Sequence, residues 1–383
     1  MKVTGIETFL VAPRWLFLKV STDEGISGWG EPVVEGRAET VRAAVHELAD
    51  LVIGQDPLRI EDHWQVLRRA GFYRGGPVLS SALAGFDHAL WDIAGKARSA
   101  PVHELLGGPV RDRVRVYSWV GGDRPTDIYR AVTAQVEAGY TAVKMNVAGP
   151  LTAIASPAEA DGVLARAHEA REALGPDRDL AIDFHGRVSP AMARRLVRML
   201  EEVQPMFVEE PIPPELQNRE LLAGIVAASG VPIAVGERLY SRWDFKPALE
   251  AGVAVAQPDP SHAGGISELR RIGALAELYG ASLAPHCPLG PISLAASMQV
   301  AFATPNFLIQ EQSLRMHYNG DTDLADYLVD PAPFEFVDGY AHRPTGPGLG
   351  IEIDEAAVRR ADTIGHAWRS PLWRHDDGSL AEW

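Results

Sequence analysis

The chain has 383 residues, 46% of them apolar and 23% charged, with a formal net charge of −15. So acidic a chain argues against nucleic acid or an anionic membrane as the main partner, but not against a small anion met by a bound cation. A single cysteine, Cys287, excludes an internal disulfide and a cysteine-rich zinc site, and no apolar run reaches membrane-spanning length.

The first stretch, MKVTGIETFLVAPRWLFLKV, is broken by Glu7 and Arg14 and is not a signal peptide. The expected location is cytoplasmic. ETFLVAP and LFLKVST read as paired strands, followed by a turn at DEG and by ISGWGEP. GWGEP is read as part of a hairpin, since no GK[ST] or βαβ context makes it a phosphate loop. RAETVRAAVHELADLVIG carries apolar residues at helical spacing and stops at Gly54. SALAGFDHALWDIAGKA is apolar nearly all round and should be a buried helix that carries His88. Residues 1–112 thus form an α+β unit.

From about residue 113 the rhythm changes. Eight β-rich runs, VRVYSWV, TAVKMNV, LAIDFH, MFVEEP, IAVGE, VAVAQPD, SLAPH and FLIQEQ, alternate with helical stretches rich in Ala, Leu, Glu and Arg. Such alternation implies an α/β fold of parallel strands with helical crossovers, and eight units would close a barrel. An open doubly wound sheet is the alternative.

The runs end in chemically useful residues: Lys144 and Asn146, Asp183 and His185, Glu209 and Glu210, Glu237, Asp259, His286, Glu311. In a barrel the C-terminal strand ends share one mouth, so these groups would converge there. A lone carboxylate after a strand is more often a helix cap than a ligand. Capping does not explain acidic or imidazole groups at matching places on six successive units.

Asp183, Glu209 and Glu237 on three adjacent runs, with no cysteine nearby, suggest a hard cation held by oxygen, Mg²⁺ above all. Such a cation can take a substrate carboxylate and stabilise an enolate next to it. His286 is the candidate base, with Asp259 placed to fix its tautomer. A protonated Glu311 could hydrogen-bond the enolate oxygen, and His185 could serve as the acid for a leaving hydroxide. Cys287 is assigned to packing. Lys144, Asn146, His317 and Arg14 are candidates for substrate contact.

DFHGR, VEEP, GER, QPDPSHAGG, APHCPLGP and QEQS together resemble the enolase superfamily, within it the mandelate-racemase subgroup. The resemblance extends over essentially the whole chain, from PRWLFLKV to PLWRHDDGSLAEW. It implies a modified (β/α)7β TIM-type barrel under an N-terminal α+β capping domain completed by the C-terminal tail. The expected division is 1–112 for the cap, 113–330 for the barrel and 331–383 for the returning segment. It further implies Mg²⁺ on Asp183, Glu209 and Glu237, and His286 taking the C2 proton of a sugar acid with support from Asp259. His185 would assist loss of the C3 hydroxyl, Glu311 would steady the enolic intermediate, and a 2-keto-3-deoxy acid would result. Loops around Arg14–Trp15 would set specificity, and a homo-oligomer is expected, with no nucleic-acid or membrane partner.

Racemases of the subgroup carry a Lys-x-Lys pair on the second strand; this chain reads Lys144-Met145-Asn146. The missing second lysine disfavours a two-base racemase or epimerase and fits a dehydratase. Dehydration of a different aldonic acid, such as gluconate, stays open, because the loop NVAGPLTAIASPAEADG is less familiar. A binding protein without turnover would have lost a ligand or base. A zinc hydrolase would show a His-x-His pair where VYSWV stands.

Overall fold

The computed structural model describes residues 1–120, 127–147, 149–316 and 319–382. Strands β1 (Val3–Val11), β2 (Trp15–Thr22) and β3 (Ser27–Gly30) form an antiparallel sheet in sequence order. Helices α1 (Ala38–Leu48), α2 (Ile60–Arg69), α3 (Gly76–Ala97) and α4 (Val102–Leu105) follow. The glycines of GWGEP have a steric reason: a Cβ on Gly28 or Gly30 would run into the backbone carbonyls of Ala89 and Gly85. Strand β3 therefore lies directly on α3, whose centre is buried on every side as its apolar composition demands.

The run VRVYSWV serves two sheets. Its first half, β4 (Arg113–Arg115), pairs antiparallel with β12 (Tyr340–His342), while β5 (Ser118–Trp119) enters the barrel. The barrel continues through α5 (Ile128–Glu137), β6 (Ala142–Asn146), α6 (Pro157–Leu174), β7 (Asp179–Asp183), α7 (Pro190–Met199), β8 (Phe207–Glu209), α8 (Arg219–Val226) and β9 (Ile233–Val235). It ends with α9 (Arg242–Glu250), β10 (Val255–Ala256), α10 (Gly265–Leu278), β11 (Ser282–Leu283) and α11 (Pro291–Ala303). Strands β5 to β11 are parallel and neighbour one another in chain order.

The run FLIQEQ closes the sheet with isolated parallel bridges rather than a regular ladder. Phe307 bridges Leu283 on one edge, and Gln310 bridges Val116 on the other. Backbone bonds Leu308 N–H to Leu283 O (2.8 Å) and Tyr117 N–H to Gln310 O (3.1 Å) secure the join. The barrel reading holds, and the open sheet is excluded.

A layer of eight buried side chains plugs the barrel: Tyr117, Ala142, Ala181, Phe207, Ala234, Val255, Ala284 and Ile309. Each comes from a different run. Because strand side chains alternate faces, the residue two further along each run points into the same space. Those residues are Trp119, Lys144, Asp183, Glu209, Gly236, Gln257, His286 and Glu311. The apolar floor thus sets the height of the polar layer above it.

The tail returns to the cap. On α12 (Glu355–Asp362), Glu355 pairs with Lys19 at 2.7 Å and Arg359 with Glu7 at 2.8 Å, while Asp362 accepts the Leu10 N–H at 2.7 Å. A short hairpin, β13 (Trp373–Arg374) and β14 (Leu380–Ala381), follows. One apolar core joins cap and barrel through Phe86, Ala89, Ile266, Leu269 and Leu294. Glu31, just after β3, accepts the N–H groups of Gly290 (2.7 Å) and Ser293 (2.9 Å) at the start of α11. Its carboxyl thus caps a barrel helix from the cap side.

Candidate active site

The mouth opens as a cavity of about 330 Å³, bounded by Lys144, His185, Glu237, His286 and Glu311 from the barrel and by Arg14, Glu35 and Ser370 from cap and tail. Lys144 sits at the hub of the polar layer. Its Nζ lies 2.9 Å from Glu209, 2.8 Å from Glu311 and 3.5 Å from Asp183. Burial alone would strip its proton, but Glu209 and Glu311 hold its pKa well above the ordinary value. Glu209 also accepts from Gln257 Nε2 at 2.9 Å. Burial and the nearby charge of Asp183 push Glu209 up, against the pull of Lys144.

His185 is held in an unusual backbone conformation, with φ +49°. Asp183 makes this turn possible: its Oδ1 accepts the His185 N–H at 2.8 Å, and its Oδ2 lies 2.9 Å from the ring Nε2. Arg187 Nη2 donates to Nδ1 of the same ring at 3.1 Å. The guanidinium of Arg187 in turn stacks on Trp373 of the tail hairpin at 4.5 Å. Trp119 lies parallel to the imidazole at 6.0 Å.

Across the cavity, His286 Nδ1 lies 2.8 Å from Asp259 Oδ2. The other oxygen of Asp259 accepts the backbone N–H groups of Ser261 (2.6 Å) and His262 (3.1 Å). A carboxylate so placed only accepts, so Nδ1 carries the proton and Nε2 faces the cavity. There it meets Glu237 at 3.2 Å and Glu311 at 3.9 Å. Burial would lower this imidazole, yet the charges of Glu311, Asp259 and Glu237 raise it; a cation held by Glu237 would offset part of that pull and leave Nε2 able to take a proton. Glu311 also accepts the Cys287 N–H at 2.9 Å, and the Cys287 side chain is buried beside Ser293, away from the cavity wall.

Three carboxylates, Asp183, Glu209 and Glu311, gather around the Lys144 ammonium, and Glu237 stands beside His286 in the same cavity. Oxygens of Asp183 and Glu237 and a ring nitrogen of His185 lie within 4.8 Å of one another. Like charges this close, with hard oxygen donors and no cysteine among them, fit a small divalent cation such as Mg²⁺. Glu209 stands next to this group through Lys144, which reaches both it and Asp183.

Of the substrate-contact candidates, Lys144 and Arg14 line the cavity. Arg14 is buried, donates to the Pro288 carbonyl at 2.9 Å and lies over Trp368 at 5.3 Å. Asn146 is buried at the end of β6 and is not among the residues lining the cavity; its backbone carbonyl accepts Arg166 Nε at 3.1 Å. His317 lies outside the described residues.

Sequence reasoning did not single out Glu35, His262, Arg238 or Tyr240, all of which line the cavity. Arg238 follows Glu237 directly and is locked by Glu210 at 2.6 Å. His262 lies three residues past Asp259, a spacing that returns it to the same side of a turn. Glu35 and the tail residues carried no local signal, because they reach the mouth only through the docking of the cap.

Residues 5–107 match the family model for the mandelate racemase/muconate lactonizing enzyme N-terminal domain, and residues 127–357 match the enolase C-terminal domain-like model. The chain belongs to the enolase superfamily. It is an enzyme, similar over its full length to hydro-lyases. It is 53% identical over 384 residues, covering 100% of both chains, to a D-galactonate dehydratase of Ralstonia nicotianae. A D-galactonate dehydratase of Variovorax paradoxus is 51% identical over the same span, again covering 100% of both chains. Among solved structures, an enolase of Agrobacterium radiobacter, described as a candidate galactarate dehydratase and bound to Na and L-malate, superposes with a TM-score of 0.91. It is 32% identical to this chain, and the match covers 100% of each. Superfamily enzyme and cap-plus-barrel fold therefore stand as expected from the sequence.

Proposed function

We propose that this protein is a Mg²⁺-dependent sugar-acid dehydratase that converts D-galactonate to 2-dehydro-3-deoxy-D-galactonate and water. The observation that carries the reading is the pairing of two imidazoles across one cavity, His286 on Asp259 at 2.8 Å and His185 on Asp183 at 2.9 Å, beside a carboxylate cluster. The full-length likeness to D-galactonate dehydratases supports this choice of substrate.

Asp183, Glu209 and Glu237 would hold the Mg²⁺, which would supply positive charge against the substrate carboxylate and the enolate charge that develops beside it. His286 Nε2 removes the C2 proton, and Asp259 keeps the opposite nitrogen protonated and the ring in place. Lys144 faces the developing oxyanion, while Glu311, kept ionised by Lys144 and His286 rather than protonated as expected from the sequence, holds that ammonium in place. The C3–O bond then breaks; His185 gives its proton to the departing hydroxide, which leaves as water. The enol so formed tautomerises to the 2-keto acid. Because Lys144 is clasped by carboxylates, it is not a neutral second base, which favours elimination over racemisation. The same reading includes a cytoplasmic homo-oligomer and a division into cap (1–112), barrel (113–330) and returning segment (331–383).

The test is to incubate the protein with Mg²⁺ and D-galactonate, with D-gluconate and other aldonates in parallel, and to assay the 2-keto-3-deoxy acid. Turnover of galactonate abolished by chelator is the expected result. Conversion of another aldonate in its place would refute the substrate, and inertness across the panel would refute the dehydratase reading.

A further inference from the structure

We infer that Glu35 and His262 form a hydroxyl-selecting pair in the cap-side wall, and that the fixed charge of Glu35 admits sugar acids with one carboxylate and refuses those with two. The inference rests on the sugar-acid reading above and names the substrate class within it.

Glu35 follows β3 and precedes Gly36, whose φ of +77° turns the chain so that the carboxylate faces the cavity. Only 18% of the Glu35 side chain is exposed. Its Oε2 lies 3.3 Å from His262 Nε2, yet that buried nitrogen makes no well-directed hydrogen bond. His262 is fixed from behind: its backbone N–H donates to Asp259 Oδ1, and its ring lies 6.1 Å from that of His286. A buried donor without a directed partner costs stability unless a ligand supplies an acceptor. A substrate hydroxyl satisfies both groups at once, because it accepts from His262 and donates to Glu35.

A carboxylate in the same place accepts only. It would satisfy His262 and face Glu35 as a like charge. Burial alone would raise the Glu35 pKa, but His262 and Arg14 hold it well below the ordinary carboxylate range, so the charge is present at neutral pH. Arg14 is already committed to the Pro288 carbonyl, to Met316 and to the Trp368 ring, and its charge is matched by Glu35. A second substrate carboxylate would unbalance this side of the cavity.

D-Galactonate and galactarate differ only in whether C6 is an alcohol or a carboxylate, so they isolate the effect. The experiment measures kcat and KM on both acids for the wild type, Glu35→Gln and Glu35→Asp. The wild type should prefer galactonate by about 100-fold or more in kcat/KM. Glu35→Gln should narrow that ratio at least about tenfold, mainly by raising KM for galactonate and lowering it for galactarate. Glu35→Asp keeps the charge and should keep the preference. His262→Gln provides a second route should Glu35→Gln fold poorly, and should raise KM for galactonate while leaving galactarate excluded. An active enzyme whose ratio is unmoved in Glu35→Gln, or a wild type that uses both acids equally, overturns this inference alone. A protein inert on every aldonate overturns the dehydratase reading and this inference with it.

Discussion

Replacing Asp259 by Asn tests the base assignment with almost no change of shape. One oxygen of Asp259 accepts two backbone N–H groups, from Ser261 at 2.6 Å and His262 at 3.1 Å, and the other faces His286 Nδ1 at 2.8 Å. An Asn side chain has one acceptor and one donor end. Two backbone donors against one ring nitrogen decide the orientation: the amide oxygen stays with the N–H pair, and the NH₂ turns to His286. Nδ1 must then accept, so Nε2 carries the proton and faces the cavity with no lone pair to take one. A flipped tautomer of this kind costs a Ser–His–Asp enzyme about 10⁴ in kcat, and a loss of ~10³–10⁴ is expected here, or about 4–5.5 kcal/mol of barrier. The assay follows exchange of the C2 proton in D₂O by NMR together with keto-acid formation; both should fall by the same factor while Mg²⁺ affinity holds. If Asp259→Asn retained kcat within tenfold of wild type, the orientation argument, and with it His286 as base, would be refuted. Asp259→Ala is the poorer variant, since it leaves two buried donors unmet at roughly 1–3 kcal/mol each.

The two imidazoles should separate by step: His286→Asn abolishes C2 exchange, whereas His185→Asn keeps exchange and stops elimination, and normal exchange in His286→Asn would overturn the assignment. Mg²⁺ should raise the melting temperature, since a ligand at about 100 times its Kd adds ~2.7 kcal/mol; a melting curve indifferent to Mg²⁺ and chelator would contradict the carboxylate cluster as its site. Burial pushes Asp87, which accepts from Ser267, up to about 7. A raised folded value means that its stability contribution is whole below pH ~4 and declines as pH climbs through about 7. Between pH 5 and 8 the wild type should therefore lose roughly 2–3 kcal/mol more than Asp87→Asn in urea unfolding, and parallel losses would count against it. Gly30→Ala drives a Cβ into the Gly85 carbonyl and should cost roughly 3 kcal/mol; an unchanged melting temperature would show that α3 can move away.

The barrel and its ring of functional groups were legible because both follow from strand periodicity. Ala181 and Asp183, Phe207 and Glu209, and Ala284 and His286 are i, i+2 pairs, so knowing which run is a strand already says which groups share the mouth. The eighth run was legible as β-rich, although it pairs through isolated bridges, because closure needs only a few bonds at each edge. Glu35, Ser370 and Trp373 were not legible. They belong to segments whose local pattern speaks of a hairpin or a loop, and their chemistry arises from where the cap and tail dock. Asn146 shows the opposite limit: it ends a barrel strand, yet it is not among the residues that line the cavity.

The placement of Trp373 behind Arg187, and of Ser370 in the cavity wall, has a consequence for the order of synthesis. A ribosome makes the cap hairpin before the barrel, and the barrel before α12 and the tail hairpin. The hairpin of β1 and β2 therefore waits through the making of the whole barrel for Glu355, Arg359 and Asp362 to reach it. A chain stopped after the barrel would keep every carboxylate of the mouth but lack the indole behind Arg187 and the tail side of the wall. Such a chain would carry the chemistry without the enclosure, an acidic funnel open to water. Enclosure of the cavity thus depends on residues made after the barrel, Ser370 and Trp373 among them.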